Sequence, residues 1–407
     1  MLLYLLALNP TDSVTEGFLP AAGRLGLDVV VLTDQPEAHR DKYSTDEYGA
    51  NGNIEVLACD VRDFRAVISR ISTHRPPDAV FSNSDHLQTQ AALAAQYFGL
   101  PAKSWQAALR AKDKAEMRRR LAAAGADTVW SVELPAGPDP AAALAGMDVP
   151  YPCVVKPREG VASEDVVQVD GPDALVRHSR EIRERRPHDA LVVEEFLPGQ
   201  LYTLETLGDG TALHVLGGFR TELSPPPYFI EERLTFVAAH PAPIIAQVLA
   251  QLDALGVGFG ACHTEFVVHE GRARLIEVNY RAIGDQCDLL LAELLAIPLF
   301  EHILRVHLGD GLPSDLAART HWAARLDYPY AQLAGTLTAA PDPTDLELEA
   351  DQVHLTYRPL RAVGELHPLH HTNRDLLGVV RAVGPGQDAV DRAVTGFLAA
   401  HRWEITP

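Results

Sequence analysis

Short apolar runs alternate with amphipathic segments through the first hundred residues of the chain. The runs have the β-branched, aliphatic character of buried strands, and they read MLLYLLAL, DVVVLTD, NIEVLACD and PDAVFSNSD. The segments between them, such as VRDFRAVISRIS, repeat apolar residues at the helical period. Strands that alternate with helices predict an open parallel α/β sheet. Ligands of such sheets bind beyond the carboxyl ends of the strands, where this chain carries Asn9, Asp34 and the polar cluster of residues 83–85.

Bulk properties exclude several classes of protein. The net charge of −20 argues against a nucleic-acid or anionic-membrane surface, which would need clustered Lys and Arg. No apolar run approaches the roughly 20 residues that span a bilayer, and the start of the chain predicts a buried strand rather than a signal peptide. The 4 cysteines show no CxxC spacing, so we expect free thiols and a cytoplasmic location. A length of 407 residues predicts two to four subdomains.

The run from residue 263 to residue 281, HTEFVVHEGRARLIEVNYR, predicts a β-hairpin that carries chemistry. Glu277, Asn279 and Arg281 lie at alternate positions, so on a strand they share one face. If Glu265 joins them, two carboxylates, a carboxamide and a guanidinium converge in a set that suits a hard cation holding a polyphosphate. The alternative is a solvated sheet face with an Arg–Glu pair.

The register of this hairpin decides between the two interpretations. A two-residue turn at Glu270-Gly271 pairs Glu265 with Ile276 and leaves Glu277 on the other face. A three-residue loop with Gly271 in the left-handed region pairs Glu265 with Leu275 instead. The two carboxylates are then diagonal neighbours, roughly 7–8 Å apart at Cα. The metal interpretation therefore predicts the three-residue loop.

Three further segments carry candidate residues. In CVVKPREGVAS an apolar strand delivers Lys156 to a Pro/Gly loop, where Ser163 and backbone N–H groups can add donors for a phosphate. The alternative for Lys156 is a strand end that points to solvent. Lys114 lies in AKDKAEMRRR, a basic helix that is ordinarily a solvated face. LVVEEFLPGQ ends a buried strand in Glu194 and Glu195, which can be surface punctuation or part of an interdomain hinge beside a nucleotide.

The order of these pieces resembles the ATP-grasp superfamily of carboxylate–amine ligases. After the βαβα domain come a DK-x-x-M-R helix, a strand-KP-loop, E-E-F-L-x-G, H-x-E and E-x-N-x-R. The resemblance covers about residues 1–310. The tail, with ARLDYPYAQLAGTL and DLLGVVRAVG, is similar to the L-amino acid ligase branch.

The resemblance implies an ATP-grasp architecture, α/β in class and α+β overall, with four parts. An N-terminal open parallel α/β domain spans residues 1–103. A small ATP-grasp subdomain with its linker helix spans 104–190, and a large subdomain with the metal site spans 191–312. A small mixed C-terminal extension spans 313–407.

The resemblance also implies roles for individual residues. Lys114 and Lys156 match the lysines that contact ATP phosphates, and Ser163 lies in the phosphate-covering loop. The residues that match the adenine hinge are Glu194, Phe196 and Leu197. The residues that match the Mg²⁺ ligands are Glu265, Glu277 and Asn279, with Mn²⁺ as an alternative ion. Arg281 matches the catalytic arginine that steadies the acyl phosphate.

The chain departs from the family pattern at two positions. The phosphate-covering loop often reads G-x-x-S-x-G, but here Asp165 replaces the second glycine. An acid beside phosphates is unfavourable unless it points away or meets a cation. Many members place a ribose-binding Glu after the hinge, where this chain has Leu201. We therefore expect Glu195 or Gln200 to contact the ribose.

The expected activity is ATP-dependent joining of a small-molecule carboxylate to an amine, with release of ADP and phosphate. Amino-acid-like substrates, as in the biosynthesis of dipeptides, siderophores or other secondary metabolites, fit the resemblance. Substrate contacts are expected from His263, Arg220, Arg233 and Asp288, and PPPYFIEERLTFV is predicted to be a loop over the site. A homodimer is compatible with the sequence. The alternatives are a biotin-carboxylase-like carboxylase and a catalytically idle nucleotide-binding regulator.

Overall fold

The N-terminal domain is the predicted open parallel sheet. The computed structural model describes residues 1–43, 54–314, 316, 322–349 and 351–407. The first four strands are β1 (Leu2–Leu6), β2 (Asp28–Thr33), β3 (Ile54–Ala58) and β4 (Ala79–Phe81), in the order β3-β2-β1-β4 and all parallel. The helical segments are a π-helix (Ser13–Phe18), α1 (Leu19–Arg24), α2 (Pro36–Tyr43), α3 (Phe64–Ser72), a 3₁₀ turn (Asp85–Leu87) and α4 (Gln88–Tyr97).

Strand β1 explains why the sequence begins with an unbroken apolar run. Leu3 and Leu5 pack into one hydrophobic cluster, whereas Tyr4 and Leu6 pack into another. A parallel strand covered by helices on both sheet faces has no solvent-facing side, so it needs no polar alternation.

Two linker helices lead into a small antiparallel sheet with the order β5-β8-β6-β7. The elements are α5 (Trp105–Lys112), α6 (Lys114–Ala123), β5 (Ser131–Leu134), α7 (Pro140–Ala143), β6 (Cys153–Pro157), β7 (Val167–Val169), α8 (Pro172–Arg185) and β8 (Leu191–Glu195). Asp113 caps α6 because its side chain accepts a hydrogen bond from Glu116 N at 3.0 Å. The cap fixes Lys114 as the first residue of α6, next to the edge of the small sheet.

The rest of the chain is built around a nine-stranded antiparallel sheet with the order β13-β12-β9-β10-β11-β14-β19-β17-β16. Its first half contains β9 (Gln200–Asp209), β10 (Leu213–Leu223), β11 (Glu231–Val237), α9 (Ala242–Leu255), β12 (Phe259–His269), β13 (Arg272–Asn279), α10 (Cys287–Leu295) and α11 (Leu299–His307). Its second half contains β14 (Ala323–Asp327), β15 (Gly335–Ala339), β16 (Thr344–Leu348), β17 (Val353–Pro359), β18 (Leu366–His367), a 3₁₀ turn (Asn373–Asp375), β19 (Gly378–Gly384), α12 (Gln387–Ala400) and β20 (Glu404–Thr406).

Two features of this sheet differ from what the sequence suggests. Four strands of the C-terminal segment continue the large sheet through the pairing of β11 with β14, and only β15, β18 and β20 form a separate small sheet. The expected loop at PPPYFIEERLTFV is wrong in its second half, because Glu231–Val237 is strand β11. The prolines obscured the alternation of buried Leu234 and Phe236 with less buried neighbours. Among the described residues, no helix is both long and apolar enough to cross a membrane.

The hairpin of β12 and β13 has a register that the sequence did not predict. Its turn is the two-residue form, with Glu270 and Gly271 at φ values of 49° and 74° and His269 opposite Arg272. Both residues lie in the left-handed region, as in the turns that match strand twist. The expected three-residue loop is therefore wrong. A bulge next to Glu265 shifts the register by one residue, so that Glu265 lies directly opposite Glu277 on one face.

Candidate functional site

A cavity of about 410 Å³ lies between the small sheet and the large sheet. Its walls also include the end of β4, the loop after β13 and part of the C-terminal segment. Small-molecule sites commonly have volumes of roughly 300–1,000 Å³. The sequence-predicted residues that line it are Lys114, Lys156, Ser163, Glu194, Glu195, Phe196, Leu197, His263, Glu265, Glu277, Asn279 and Arg281.

The facing pair Glu265 and Glu277 forms the predicted metal position. Lys114 Nζ lies 3.1 Å from Glu277 Oε1, and His263 Nε2 lies 3.5 Å from Glu265 Oε1. Asn279 follows Glu277 two residues along β13 and is buried. Among the described residues, no three His, Cys, Asp or Glu side chains are grouped so as to hold a metal by themselves. Two carboxylates and a carboxamide fit Mg²⁺, which is usually bound through one or two carboxylates together with substrate phosphates.

His263 bridges two carboxylates beneath the metal position. Its Nδ1 lies 2.8 Å from Glu205 Oε1, and Thr203 Oγ1 donates to the same oxygen at 2.8 Å. Burial alone would lower the pKa of His263, but Glu205 and Glu265 raise it to about 10. His263 is therefore a cation at neutral pH that orients Glu265. Glu205 was not among the predicted site residues, although an acid in the middle of the apolar strand LYTLETLGD was a signal.

Arg281 joins the large sheet to the N-terminal domain. Its Nε and Nη2 donate to Asp85 Oδ2 at 2.9 and 2.7 Å, and Asn83 Oδ1 accepts from Ala282 N at 3.1 Å. Burial opposes the charge of Arg281, but the Asp85 carboxylate raises the Arg281 pKa above its usual range. The carboxyl end of β4 thus meets the end of β13, where the parallel sheet was expected to bind ligands.

Glu194 lies at the centre of a buried charge network. Its carboxylate accepts from Arg118 Nε and Nη2 at 2.9 and 3.0 Å and lies 2.8 Å from Lys156 Nζ. Burial raises the pKa of Glu194, but Arg118 and Lys156 outweigh it and lower the pKa to about 2. Arg118 also donates to Leu275 O at 2.7 Å, so it ties α6 to β13. This double role gives a physical reason for the arginine in the DK-x-x-M-R helix.

Glu195 has different hydrogen-bond and ionic partners from those of Glu194. Its Oε1 accepts from Trp130 N at 2.9 Å and lies 3.5 Å from Arg274 Nη1. The alternative ribose contact, Gln200, donates from Nε2 to Leu201 O at 3.0 Å and to Thr221 O at 2.8 Å. Of these two residues, only Glu195 lines the cavity.

The phosphate loop, residues 160–166, follows β6 and borders the cavity. Ala162, Ser163 and Asp165 have φ values of 56°, 54° and 56°. This left-handed region is unfavourable for residues other than glycine, so surrounding contacts must hold the loop in this conformation. Asp165 accepts from Arg185 Nη2 and Arg186 Nε, each at 2.6 Å. Its charge is therefore met by two cations, one of the two conditions under which an acid beside phosphates is tolerated.

Three predicted substrate residues lie outside the cavity. Arg220 and Arg233 line a separate cavity of about 570 Å³, and both pair with Glu222. Side chains alternate along β10, so Thr221 faces the first cavity while Arg220 faces the second. Asp288 is fully buried at the start of α10, where burial raises its pKa to about 7. The structure does not bring these three to the other candidate residues.

Three residues that were not among the predicted site residues also line the cavity, namely Glu231, Asp285 and Asn373. Of these, Glu231 lies in PPPYFIEERLTFV, the segment expected over the site. Asn373 Nδ2 donates to Glu231 Oε1 at 3.0 Å, and Glu231 N donates to Asn373 Oδ1 at 3.0 Å. Burial, followed by the nearby carboxylates of Glu265 and Asp285, raises the pKa of Glu231 to about 7. Asp285 has a φ of 54°, and its carbonyl oxygen accepts from Tyr328 OH at 3.2 Å.

Residues 149–289 match the protein family described as the ATP-grasp domain. This part of the chain is similar to an ATP-grasp domain. This match includes Lys156, the hinge, and the β12–β13 hairpin, so it confirms the resemblance that the motif order suggested. The matched segment ends before the C-terminal half of the large sheet.

Solved structures extend the similarity to the whole chain. An L-amino acid ligase from Bacillus licheniformis is 21% identical, with a TM-score of 0.78 over 100% of this chain and 99% of that one. Phosphoribosylglycinamide synthetase from Anaerococcus prevotii is 14% identical, with a TM-score of 0.71 over 100% and 99% of the two chains. The biotin carboxylase domain of Hydrogenobacter thermophilus 2-oxoglutarate carboxylase is 14% identical, with a TM-score of 0.71 over 100% and 91%. These likenesses confirm the predicted ATP-grasp fold.

A sequence relative is the uncharacterized protein y4rH of Sinorhizobium fredii. It is 25% identical over 434 residues, which cover 99% of this chain and 83% of that protein.

Proposed function

We propose that the protein is an ATP- and Mg²⁺-dependent ligase that activates a carboxylate as an acyl phosphate and couples it to an amine. One observation carries the proposal. A single cavity collects the lysines Lys114 and Lys156, the facing carboxylates Glu265 and Glu277, and Arg281. An ATP-grasp domain supports ATP as the phosphoryl donor.

The nucleotide would lie between the small and the large sheet. The Glu194 carboxylate pairs with Arg118 and Lys156, so backbone groups of the hinge would contact the adenine edge. The N–H groups of Glu195 and Phe196 already donate to Trp130 O and Pro152 O, so the donor to adenine would be the N–H of Leu197. Lys114 and Lys156 would bind the phosphates as point charges, and Ser163 and the phosphate loop would cover them. Glu265, Glu277 and Asn279 would hold Mg²⁺, or Mn²⁺, which when bound neutralises charge on the transferred phosphoryl oxygens.

The chemistry needs no protein nucleophile. A carboxylate oxygen attacks the γ-phosphorus and ADP leaves. The amine, if it binds as an ammonium ion, first loses a proton to solvent. It then attacks the acyl carbon and loses a second proton, and phosphate leaves with the substrate's carboxylate oxygen attached and can take up that proton. Arg281 is half-buried and held by Asp85, so it would present a fixed positive charge to the acyl phosphate and the tetrahedral species. Such catalysis depends on positioning and electrostatic stabilisation.

The acidic residues at the substrate end of the cavity, away from the nucleotide, favour binding of a positively charged amine. The cavity is lined by the acids Asp85, Glu164, Glu194, Glu195, Glu231, Glu265, Glu277 and Asp285. Within the described part of the chain, all of these except Glu231 and Asp285 have an ionic partner. Buried or half-buried carboxylates favour a cation nearby, and the ammonium group of an amino-acid-like substrate would supply it. The likeness to an L-amino acid ligase supports the same substrate class, as in dipeptide or siderophore assembly.

The test is incubation of the purified protein with ATP, Mg²⁺ and a pool of amino acids, followed by mass spectrometry of the products. We expect ADP, phosphate and an amide as products, and release of ADP and phosphate should depend on both a carboxylate and an amine. AMP and pyrophosphate would contradict the acyl phosphate. Release that depends on bicarbonate would favour the second candidate, a carboxylase, which the likeness to a biotin carboxylase domain motivates. ATP binding without release for any substrate pair would favour the idle regulator.

A further inference from the structure

A short C-terminal segment, residues 371–375, bridges the two sides of the cavity. It contains the 3₁₀ turn Asn373–Asp375, which Thr372 caps with a reciprocal capping box. The carboxylate of Asp375 is fully buried and accepts from His367 Nε2 at 2.9 Å and from His370 N at 2.9 Å. These bonds fix the bridging segment as one rigid unit.

On one side, the bridging segment holds the phosphate loop. Asn373 N donates to Ala162 O at 3.2 Å, and Arg374 Nε lies 2.6 Å from Glu164 Oε1. The loop's own subdomain supplies Arg185 and Arg186, which bind its acids. The contacts of Asn373 and Arg374 therefore reach the loop from across the cavity.

On the other side, the same segment holds the start of β11. The Asn373 carboxamide both donates to and accepts from Glu231, at 3.0 Å in each case. The ring of His371 stacks on Tyr228 with 4.3 Å between centroids and 5° between planes. Asn373 thus contacts the phosphate loop through its backbone and Glu231 through its side chain.

We propose that Asn373 is a positioning residue of the ligase proposed above, which fixes the Glu231 carboxylate at the substrate end and joins it to the phosphate loop. The inference rests on the proposed function for its catalytic meaning, whereas the coupling itself is a property of the fold. Because the bridging segment is held as one unit, a displacement of Ala162 either breaks its hydrogen bond to Asn373 N or pulls on the bonds between Asn373 and Glu231. Closure of the loop over ATP and placement of Glu231 for the amine therefore favour each other, as in any pair of linked equilibria.

Hydrogen exchange of the protein alone, without nucleotide or substrates, tests the coupling independently of activity. Asn373→Ala removes both side-chain bonds to Glu231 but keeps the backbone N–H that binds Ala162. We expect exchange to accelerate by about tenfold both at the Glu231 amide and across the phosphate loop, the scale of one or two lost hydrogen bonds. Faster exchange at Glu231 with an unchanged loop would overturn the coupling, and so would no change at either place.

Three further variants separate the loss of a specific bond from general damage to the fold. Asn9→Ala removes a carboxamide whose Oδ1 accepts from Gln35 Nε2 in the N-terminal domain, and it should leave both segments unchanged. Asn373→Asp keeps an oxygen that can accept from Glu231 N, but it replaces the donor bond to Glu231 Oε1 with two opposed carboxylates, so it should accelerate exchange across the phosphate loop when Glu231 is ionised. The Asn373→Asp/Glu231→Gln double variant restores one donor and one acceptor with their order exchanged. It should return the loop to near wild-type exchange, and a loop that stays unprotected would overturn the proposal.

The ligase assay adds a kinetic arm that fails separately from the exchange arm. Asn373→Ala should raise the KM for ATP and the KM for the amine together. Arg374→Ala removes the ion pair with Glu164 but keeps the bonds between Asn373 and Glu231, so it should raise the KM for ATP more than the KM for the amine. An Asn373→Ala effect confined to ATP would contradict the positioning of Glu231. If no ligase activity exists, the exchange result still decides the coupling, and only the proposed function falls.

Discussion

The two ends of the cavity differ in how their charges are balanced. At the nucleotide end, Glu194, Glu265 and Glu277 each pair with a cationic side chain. At the substrate end, Glu231 and Asp285 have no ionic partner among the described residues, and Glu231 is held by the neutral amide of Asn373. A preorganised site balances its charges before the ligand arrives. The nucleotide end is therefore balanced in charge without a ligand, whereas a positively charged ligand would balance the substrate end.

The largest effect should come from the metal position at the nucleotide end. Glu277→Ala removes one of two carboxylates that would hold Mg²⁺ and leaves Lys114 without its 3.1 Å partner. Loss of several kcal/mol of charge stabilisation lowers turnover by about a thousandfold or more. ADP release measured with saturating ATP and Mg²⁺ checks it. Glu270→Ala, in the exposed turn of the same hairpin, should retain full activity. Comparable activity in both variants would remove the metal site from the account.

The next largest effect is a loss of folding stability when a buried ion pair at the nucleotide end is broken. Arg118→Ala leaves the buried Glu194 carboxylate short of its bidentate partner, with side-chain exposures of 3% and 4% in the pair. Removing one member of a buried ion pair costs about 3–5 kcal/mol. Denaturant unfolding measures the loss. Its matched control is Arg119→Ala, the next residue of α6, whose side chain is 57% exposed and should cost less than about 1 kcal/mol. Equal losses in the two variants would mean that the network adds no stability.

The smallest effect is a pH dependence of the folding stability, which comes from Glu231 at the substrate end. The pKa of Glu231 is raised to about 7, so the folded protein binds a proton there that the unfolded chain, with an ordinary Glu pKa, releases. Glu231 therefore contributes stability below its unfolded pKa of about 4.5 that is lost as pH rises through about 7. Relative to wild type, Glu231→Gln should gain up to about 3 kcal/mol between pH 5 and pH 8. Unfolding of the ligand-free proteins across this range measures it. A difference that does not vary with pH would contradict the raised pKa.

The same contrast explains what the sequence could predict. The nucleotide end comes from short contiguous motifs, so Lys156, the hinge and the E-x-N-x-R strand stand out by local spacing. The parallel sheet was also predictable, because alternating strands and helices have few other ways to fold. Asp285 and Asn373 belong to no motif and reach the cavity only through tertiary contacts. Glu231 lies in PPPYFIEERLTFV, which was expected over the site, but no spacing singled out this residue.

The errors also have local physical causes. The correct face for Glu265 and Glu277 was predicted with the wrong turn, because a bulge changes register without a sequence signature. Arg220 was expected at the substrate, but the alternation of β10 turns it to the other cavity. Asp165 was expected to be unfavourable beside phosphates, but the fold brings Arg185 and Arg186 to its carboxylate. Each depends on a contact between residues that spacing alone does not relate.

In the proposed reaction, the γ-phosphoryl group of ATP is transferred to the substrate carboxylate. Once a productive carboxylate and amine are found, the carboxylate can be supplied with both oxygens labelled with ¹⁸O. An acyl-phosphate mechanism transfers one labelled oxygen from the carboxylate to the released phosphate in every turnover, and mass spectrometry of the phosphate detects it. Phosphate that carries only unlabelled oxygen, while labelled amide accumulates, would contradict the account.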